Sequence, residues 1–280
     1  MTEKPLISII IAVLNNESTL ERCINSVLAQ TYKQKELIIM DGGSVDGTIN
    51  ILEKYSAHIS YWESKPDKGV YHAWNKGLNV ASGDWICFIG SDDFLIADTV
   101  LTSAVQYLNR AEQKGINYVY GKVGVFSHEH GKIVAYVNTP WQQFKKDIRQ
   151  GKFIFHSGSF HHRKLFDRQG YFDESLRFVG DFELIWREVK DNGAFFMDMA
   201  TIAMGFGGLT MSMDKKKRML KEALFVCRKH NISKFPVFIM GMRIKIGLYA
   251  ALKKIIGETL AYRLGYYYST IRKKAPIEYR

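Results

Sequence analysis

Leu6 to Leu14 is an unbroken apolar, β-branched run, the pattern of a parallel strand buried on both faces. It gives way to Asn15-Asn16-Glu17 and then Ser18-Thr19-Leu20-Glu21, which has capping-box spacing and predicts a helix start. Leu20, Cys23, Ile24, Val27 and Leu28 then form one helical stripe. Glu36 to Met40 predicts a second strand, ending at Asp41-Gly42-Gly43-Ser44-Val45-Asp46-Gly47-Thr48. A helix through Ile49, Ile51, Leu52 and Tyr55 follows, then a third strand over Ile59 to Glu63. Beyond the loop Ser64 to Gly69, a helix carries Val70, Ala73, Trp74, Gly77, Leu78 and Ala81. Trp85 to Ile89 is a fourth strand, closed by Gly90-Ser91-Asp92-Asp93. Strands alternating with helices imply right-handed crossovers and a mainly parallel sheet, with ligands bound beyond the carboxyl ends of the strands. Asp41 and the pair Asp92-Asp93 stand at those ends.

From Tyr118 the pattern changes. Tyr118 to Phe126 and Ile133 to Val137 read as strands joined across His128-Glu129-His130-Gly131. Phe153 to Phe160 is expected to be a further strand, and Asp181 to Lys190 a helix. The expected fold is α/β: a Rossmann-like, mainly parallel sheet, a small antiparallel part forming the far wall of a cleft, and a C-terminal helical segment.

Composition narrows the class. The 280 residues fit one large domain, or one with an appended helical segment, and 46% hydrophobic residues suffice for a core. Cys23, Cys87 and Cys227 are scattered and odd in number, which predicts reduced thiols in a cytosolic compartment. The opening Met1-Thr2-Glu3-Lys4-Pro5 has no signal-peptide pattern, and no run of 18 apolar residues predicts a spanning helix. The net charge of +11 is unevenly placed. From Asp214 onward there are 17 Lys and Arg against 4 Asp and Glu, a net of +13, which leaves −2 for residues 1–213. The expected division is therefore a nearly neutral domain over 1–213 and a basic amphipathic tail over 214–280.

A carboxylate just past a buried strand can accept hydrogen bonds from a base amide or a ribose hydroxyl, and Asp41 is placed for that; it could equally serve the turn before its two glycines. A dinucleotide-binding domain would need a glycine-rich turn after the first strand, and Val13-Leu14-Asn15-Asn16-Glu17 has none. Adjacent acids such as Asp92 and Asp93 repel each other and usually have a cation or hydroxyls as partners. Oxygen ligands suit Mg²⁺ or Mn²⁺, bound through one or two carboxylates and substrate phosphates. A helix N-cap is the plainer alternative.

Together these stretches resemble family 2 glycosyltransferases of the GT-A fold, over about residues 6 to 213. Ser8-Ile9-Ile10-Ile11-Ala12-Val13-Leu14-Asn15 is similar to the family's opening strand, and Gln30-Thr31-Tyr32 to the exit of its first helix. Pro66-Asp67-Lys68-Gly69-Val70-Tyr71 with Asn75-Lys76-Gly77 resembles its second nucleotide-side loop. Ala81-Ser82-Gly83-Asp84 leading to Ser91-Asp92-Asp93 resembles the approach to its metal motif. The resemblance implies donor contacts from Ala12, Asn15, Asp41, Asp67, Gly69, Asn75 and Asp92, and a Mn²⁺ or Mg²⁺ ligand in Asp93. Lys65 and His72 stand where the family usually has acids. Gly180-Asp181-Phe182-Glu183 resembles its acid pair opening a helix, which implies Asp181 as catalytic base, with Glu183 as rival; Gly180 replaces the frequent first acid. His156 matches a position on the acceptor side, whereas His128, His130, His161 and His162 read as structural.

The resemblance implies an inverting single displacement of one sugar from a nucleoside-diphosphate sugar, UDP-linked by preference with GDP or dTDP as alternatives. The expected acceptor is a lipid-linked glycan in cell-surface polysaccharide synthesis, O-antigen being one example. The tail carries Asp214-Lys215-Lys216-Lys217-Arg218, a mixed apolar and basic stretch from Phe235 to Ile256, Tyr266-Tyr267-Tyr268 and Arg272-Lys273-Lys274. It is expected to lie in an anionic membrane surface, placing the enzyme in the cytoplasm at the inner face of a bacterial-type membrane, or else to cap the fold with a solvated basic face. Two rivals fit less well. A nucleotidyltransferase needs a glycine-rich basic phosphate loop near the N-terminus, and a nucleic-acid-binding tail leaves the strand-end acids without a purpose. The lack of spanning helices and of a Gln-x-x-Arg-Trp element favours transfer of a single residue over processive synthesis.

Overall fold

The computed structural model describes residues 4–127, 130–206, 213–233 and 236–256, without the side chains of 206, 213, 249, 250, 252–254 and 256. His128 and the tail beyond residue 256, with its tyrosine and basic clusters, lie outside the described residues. The chain divides into two compact units. One comprises Met1–Ile148 with Phe153–Thr210, and the other Arg149–Lys152 with Met211–Arg280.

The first unit is built on β1 (Ile7–Val13), β2 (Lys35–Asp41), β3 (Tyr61–Ser64) and β4 (Trp85–Gly90). They pair in parallel in the order β3-β2-β1-β4. Ile7, Ile9, Ile10 and Ile11 have no exposed surface, so β1 is buried on both faces as its unbroken apolar run requires. The crossovers are α1 (Glu17–Leu28), α2 (Thr48–Tyr55) and α3 (Val70–Val80). Helix α1 begins one residue before Ser18: Asn16 is its N-cap, and the Asn16 side-chain oxygen accepts from the Thr19 hydroxyl at 2.9 Å, so the expected capping box is not formed. Helix α3 buries Ala73, Trp74, Gly77, Leu78 and the following Ala81 as predicted, but Tyr71 and not Val70 opens the buried face.

The sheet continues through β5 (Phe94–Leu95), β6 (Tyr118–Ser127), β7 (Lys132–Val137), β8 (Phe160–His162) and β9 (Phe195–Phe206). Its full order is β3-β2-β1-β4-β8-β6-β9-β5, with β7 paired to β6. Strand β8 is antiparallel to both β4 and β6, and so joins the parallel half to the mixed half. The expected strand from Phe153 is replaced by a loop up to Ser159. There Asn138 takes over the backbone bonding, accepting from the Phe155 amide at 3.0 Å and donating to the Phe155 carbonyl at 3.1 Å. Helices α4 (Val100–Gln113), α5 (Trp141–Ile148), α6 (Arg163–Gln169) and α7 (Gly180–Asn192) complete this unit.

The second unit holds α8 (Met213–Lys229) and α9 (Val237–Ile256). An apolar groove of about 390 Å³ is lined by Leu224 of α8 and Ile239, Met240, Arg243 and Ile244 of α9. No helix among the described residues is long and apolar enough to cross a membrane.

Candidate active site

The loops after β1, β2 and β4 meet at one end of the parallel sheet. Asn15, with φ +49°, receives the Val45 amide on its side-chain oxygen, and its own amide donates to the Ser44 hydroxyl at 2.7 Å. Asn16 donates to the Ser91 hydroxyl at 2.8 Å. These bonds tie the three loops into one rim, with Ala12 half-buried beneath it on β1.

Asp41 has no exposed surface. One of its oxygens accepts from the amides of Gly43 and Ser44 and from the Ser64 hydroxyl, and the other from the Ser44 hydroxyl. Three donors meet at one oxygen and one at the other, so Asp41 shapes the loop, and its Oδ1 alone keeps an acceptor site for the nucleobase contact expected of it. Asp67 is the half-exposed acid on this side. It accepts from the Gly69 amide at 2.7 Å, and its carboxylate lies over Gly42, 2.6 Å from where a Cβ on that residue would stand. Asn75 is engaged within the fold. Its side chain is buried, donating to the Phe172 carbonyl and to Glu174 and accepting from the Phe172 amide. It pins the segment ahead of α7. Lys65 pairs with Glu63, and His72 accepts from the Lys68 amide.

Asp92 and Asp93 form a turn after β4, with no helix N-cap at this point. Both carboxylates converge over Gly90: a Cβ there would lie 3.0 Å from an oxygen of each. Asp93 is 4% exposed, and its Oδ2 accepts from the Ser157 hydroxyl at 2.6 Å. Its Oδ1 is buried with no partner. Burial, then the charge of Asp92 beside it, push the Asp93 carboxyl up to about 7, against hydrogen bonds from Ser157 and from the backbone at Gly205 and Gly90. An orphaned buried oxygen beside a second carboxylate fits a hard divalent cation, which would supply the missing partner and relieve the repulsion. Among the described residues no group of three or more His, Cys, Asp or Glu gathers as a metal site.

Asp181 lies in the first turn of α7 and is half-buried. Burial pushes its carboxyl up to about 6, although the Phe182 amide, the Tyr71 hydroxyl and its own amide all favour the ionised form. A carboxylate titrating near neutral pH is suited to accept a proton from a hydroxyl. Glu183, two residues on, is 1% exposed and ion-paired to Arg187 at 2.9 Å, which leaves it a structural group. His156 is buried among Trp74, Phe88 and Phe172, its Nε2 3.1 Å from that of His161. Burial first, then the neighbouring ring, hold it well below the ordinary histidine range, so it is a neutral part of the aromatic floor. His161 shares that floor, while His162 points to the opposite face, caps α6 and meets Glu112 at 3.2 Å. Two residues of the site carried no chemical signal in the sequence: Ser157, which holds Asp93, and Tyr71, which holds Asp181. Tyr71 could have been found from its helical spacing to Trp74 and Leu78, which puts it on the buried face.

A parallel half-sheet ending in paired acids, with a further acid raised toward neutral pH at the start of a helix, defines a GT-A-type glycosyltransferase. The chain belongs to glycosyl transferase family 2, whose model matches residues 8–171. It is 27% identical over 267 residues to a PGL/p-HBAD biosynthesis glycosyltransferase of Mycobacterium tuberculosis, covering 92% of this chain and 95% of the relative. An uncharacterized glycosyltransferase of Rickettsia typhi is 28% identical over 202 residues, 70% of this chain and 62% of that one. Among solved structures, the mannosyltransferase PcManGT of Pyrobaculum calidifontis, in complex with GDP-Man and Mn²⁺, superposes with a TM-score of 0.61 at 14% identity, over 98% of this chain and 82% of that one. Residues 1–349 of S. aureus TarS in complex with UDP-GlcNAc give 0.59 at 17% identity, over 79% of this chain and 66% of that one. The chain spans 39% of the longer TarS chain. These two likenesses establish the fold.

Proposed function

We propose that the enzyme moves a single sugar, with inversion, from a nucleoside-diphosphate sugar to an acceptor hydroxyl. UDP is the preferred nucleotide, and the acceptor is a lipid-linked glycan. The observation that carries this reading is a pair of carboxylates both raised toward neutral pH in different environments, the buried Asp93 after β4 and the half-buried Asp181 at the start of α7. Asp92 and Asp93 would hold Mn²⁺ or Mg²⁺ against the diphosphate. When bound, the cation offsets the negative charge that develops on the leaving diphosphate. Asp181 takes the acceptor proton while the hydroxyl attacks the anomeric carbon from the face opposite the nucleotide. Asp67 and the rim from Asn15 to Val45 border the space for the nucleoside. The test is release of free nucleoside diphosphate from UDP-, GDP- and dTDP-sugars, each with a lipid-linked glycan extract. Release with one nucleotide class, dependent on extract and cation, is the expected result; no release with any donor would overturn the reading.

We further propose that the second unit attaches the enzyme to an anionic membrane surface. Supporting this, Val237, Met240, Ile244, Leu248 and Ile255 fall on one side of α9 and are all exposed, with Arg243 and Lys245 beside them. Each basic residue at such a surface contributes about 1 kcal/mol. The full chain is expected to float with anionic liposomes and not with neutral ones. Equal flotation of a chain truncated after Ser212 would contradict the proposal.

A further inference from the structure

Tyr71 and Gly180 stand in a relation that the strand-end chemistry does not require. The Tyr71 hydroxyl donates to Asp181 Oδ1 at 3.1 Å. The residue is 4% exposed, and its ring stacks on Phe172 with centroids 5.6 Å apart and meets Trp74 edge-on at 5.7 Å. It is therefore held from two sides, and the hydroxyl has little freedom to swing away from the carboxylate. A Cβ on Gly180 would lie 2.8 Å from two carbons of the same ring and 3.0 Å from a third. Such distances are closer than packed side chains tolerate. The place where a side chain at position 180 would project is thus filled by a ring from α3.

We propose that Tyr71 is the positioning residue of the catalytic base, and that Gly180 is required because the Tyr71 ring occupies the space beside Asp181. This rests on the reading of Asp181 as the base. The hydroxyl does two things. It engages Oδ1 of the carboxylate, and it stabilises the ionised form in a site whose burial works against ionisation. Among the described residues, the titratable groups that act on Asp181 are the phenols of Tyr71 on α3 and of Tyr118 on β6. Burial pushes both phenols well above their ordinary range, so both stay neutral wherever the carboxylate titrates.

The experiment is the pH profile of transfer for wild type, Tyr71→Phe, Gly180→Ala and Asp181→Asn, with donor KM and melting temperature measured for each. Tyr71→Phe keeps the ring and removes only the hydroxyl. It is expected to lower kcat about 10-fold, leave donor KM unchanged, and move the acid limb of the profile upward by about one pH unit, because the ionised base has lost a hydrogen bond. Gly180→Ala displaces the ring and is expected to move the limb the same way; the double variant should be no worse than the poorer single, since both act through one contact. A Tyr71→Phe enzyme with lowered melting temperature but an unmoved limb and kcat would assign the residue to packing alone and overturn the proposal. If Gly180→Ala does not fold, Tyr71→Phe decides the matter by itself. Substantial transfer by Asp181→Asn would instead overturn the assignment of the base, and so separates failure of that reading from failure of this one.

Discussion

Asp181→Asn is expected to lower transfer by about 10³-fold while leaving the donor dissociation constant within about twofold of wild type. The substitution keeps the shape of the side chain and can still accept from Tyr71, but it cannot take a proton. The same exchange should make the protein more stable at neutral pH. In the folded state the Asp181 carboxyl is raised to about 6 from an ordinary 3.8, chiefly by burial, so ionisation opposes folding. That penalty is fully present above pH 6, shrinks as pH falls, and is absent below about 4. Its ceiling is about 3 kcal/mol, from the size of the shift. A variant that melts a few degrees higher than wild type at pH 7.5, and level with it at pH 4, would carry the signature of such a base. Loss of donor binding in this variant would place Asp181 on the donor side and contradict its role. For the wild type, transfer should rise with pH through about 6, as the carboxylate loses its proton.

Asp93→Asn should remove transfer by about 10³-fold for a different reason, through the charge it no longer offers to a cation on the diphosphate. The Asp93 Oδ1 atom is buried without a partner, and Oδ2 is already engaged by Ser157. An amide nitrogen or oxygen at that point cannot replace a hard anionic ligand. Raising Mn²⁺ tenfold should restore little of the rate. The folded protein without ligand should lose no stability, since burial and Asp92 already disfavour the Asp93 charge. A variant with near wild-type transfer, in the presence or absence of added cation, would remove Asp93 from the chemistry.

The parallel half of the fold was legible because its strands have no polar face. Runs such as Ile7 to Val13 and Trp85 to Gly90 are buried on both sides, and a continuous apolar run admits few other placements. The acids ending those strands were therefore located to within a residue. What the acids do was less legible. Asp41 after β2 and Asn75 in α3 both carried the resemblance's donor role, yet both are engaged by neighbouring loops. Such partners, Gly43, Ser44 and Phe172, come from turns whose shape no periodicity encodes. The second half was harder still. Strand β9 mixes Asp198 and Thr201 with methionines and shifts register against β6 between Tyr120 and Val123, so it shows neither clean alternation nor an unbroken apolar run. The stretch from Phe153 to Ser159 has strand composition but gives its backbone bonds to Asn138 and, at Gly158, to the Phe88 carbonyl. The link between Tyr71 and Asp181 joins residues 110 positions apart, and only the packed fold brings it into view.

The most direct measurement of the central claim is a thermal-shift panel of UDP, GDP, dTDP and CMP, each with and without Mn²⁺, on wild type and Asp93→Asn. One nucleotide class should raise the melting temperature of the wild type only when Mn²⁺ is present, and the rise should vanish in the variant. The absence of a shift with every nucleotide in a folded wild-type sample, or a shift of equal size in Asp93→Asn, would contradict a donor site built on the acids that follow β4.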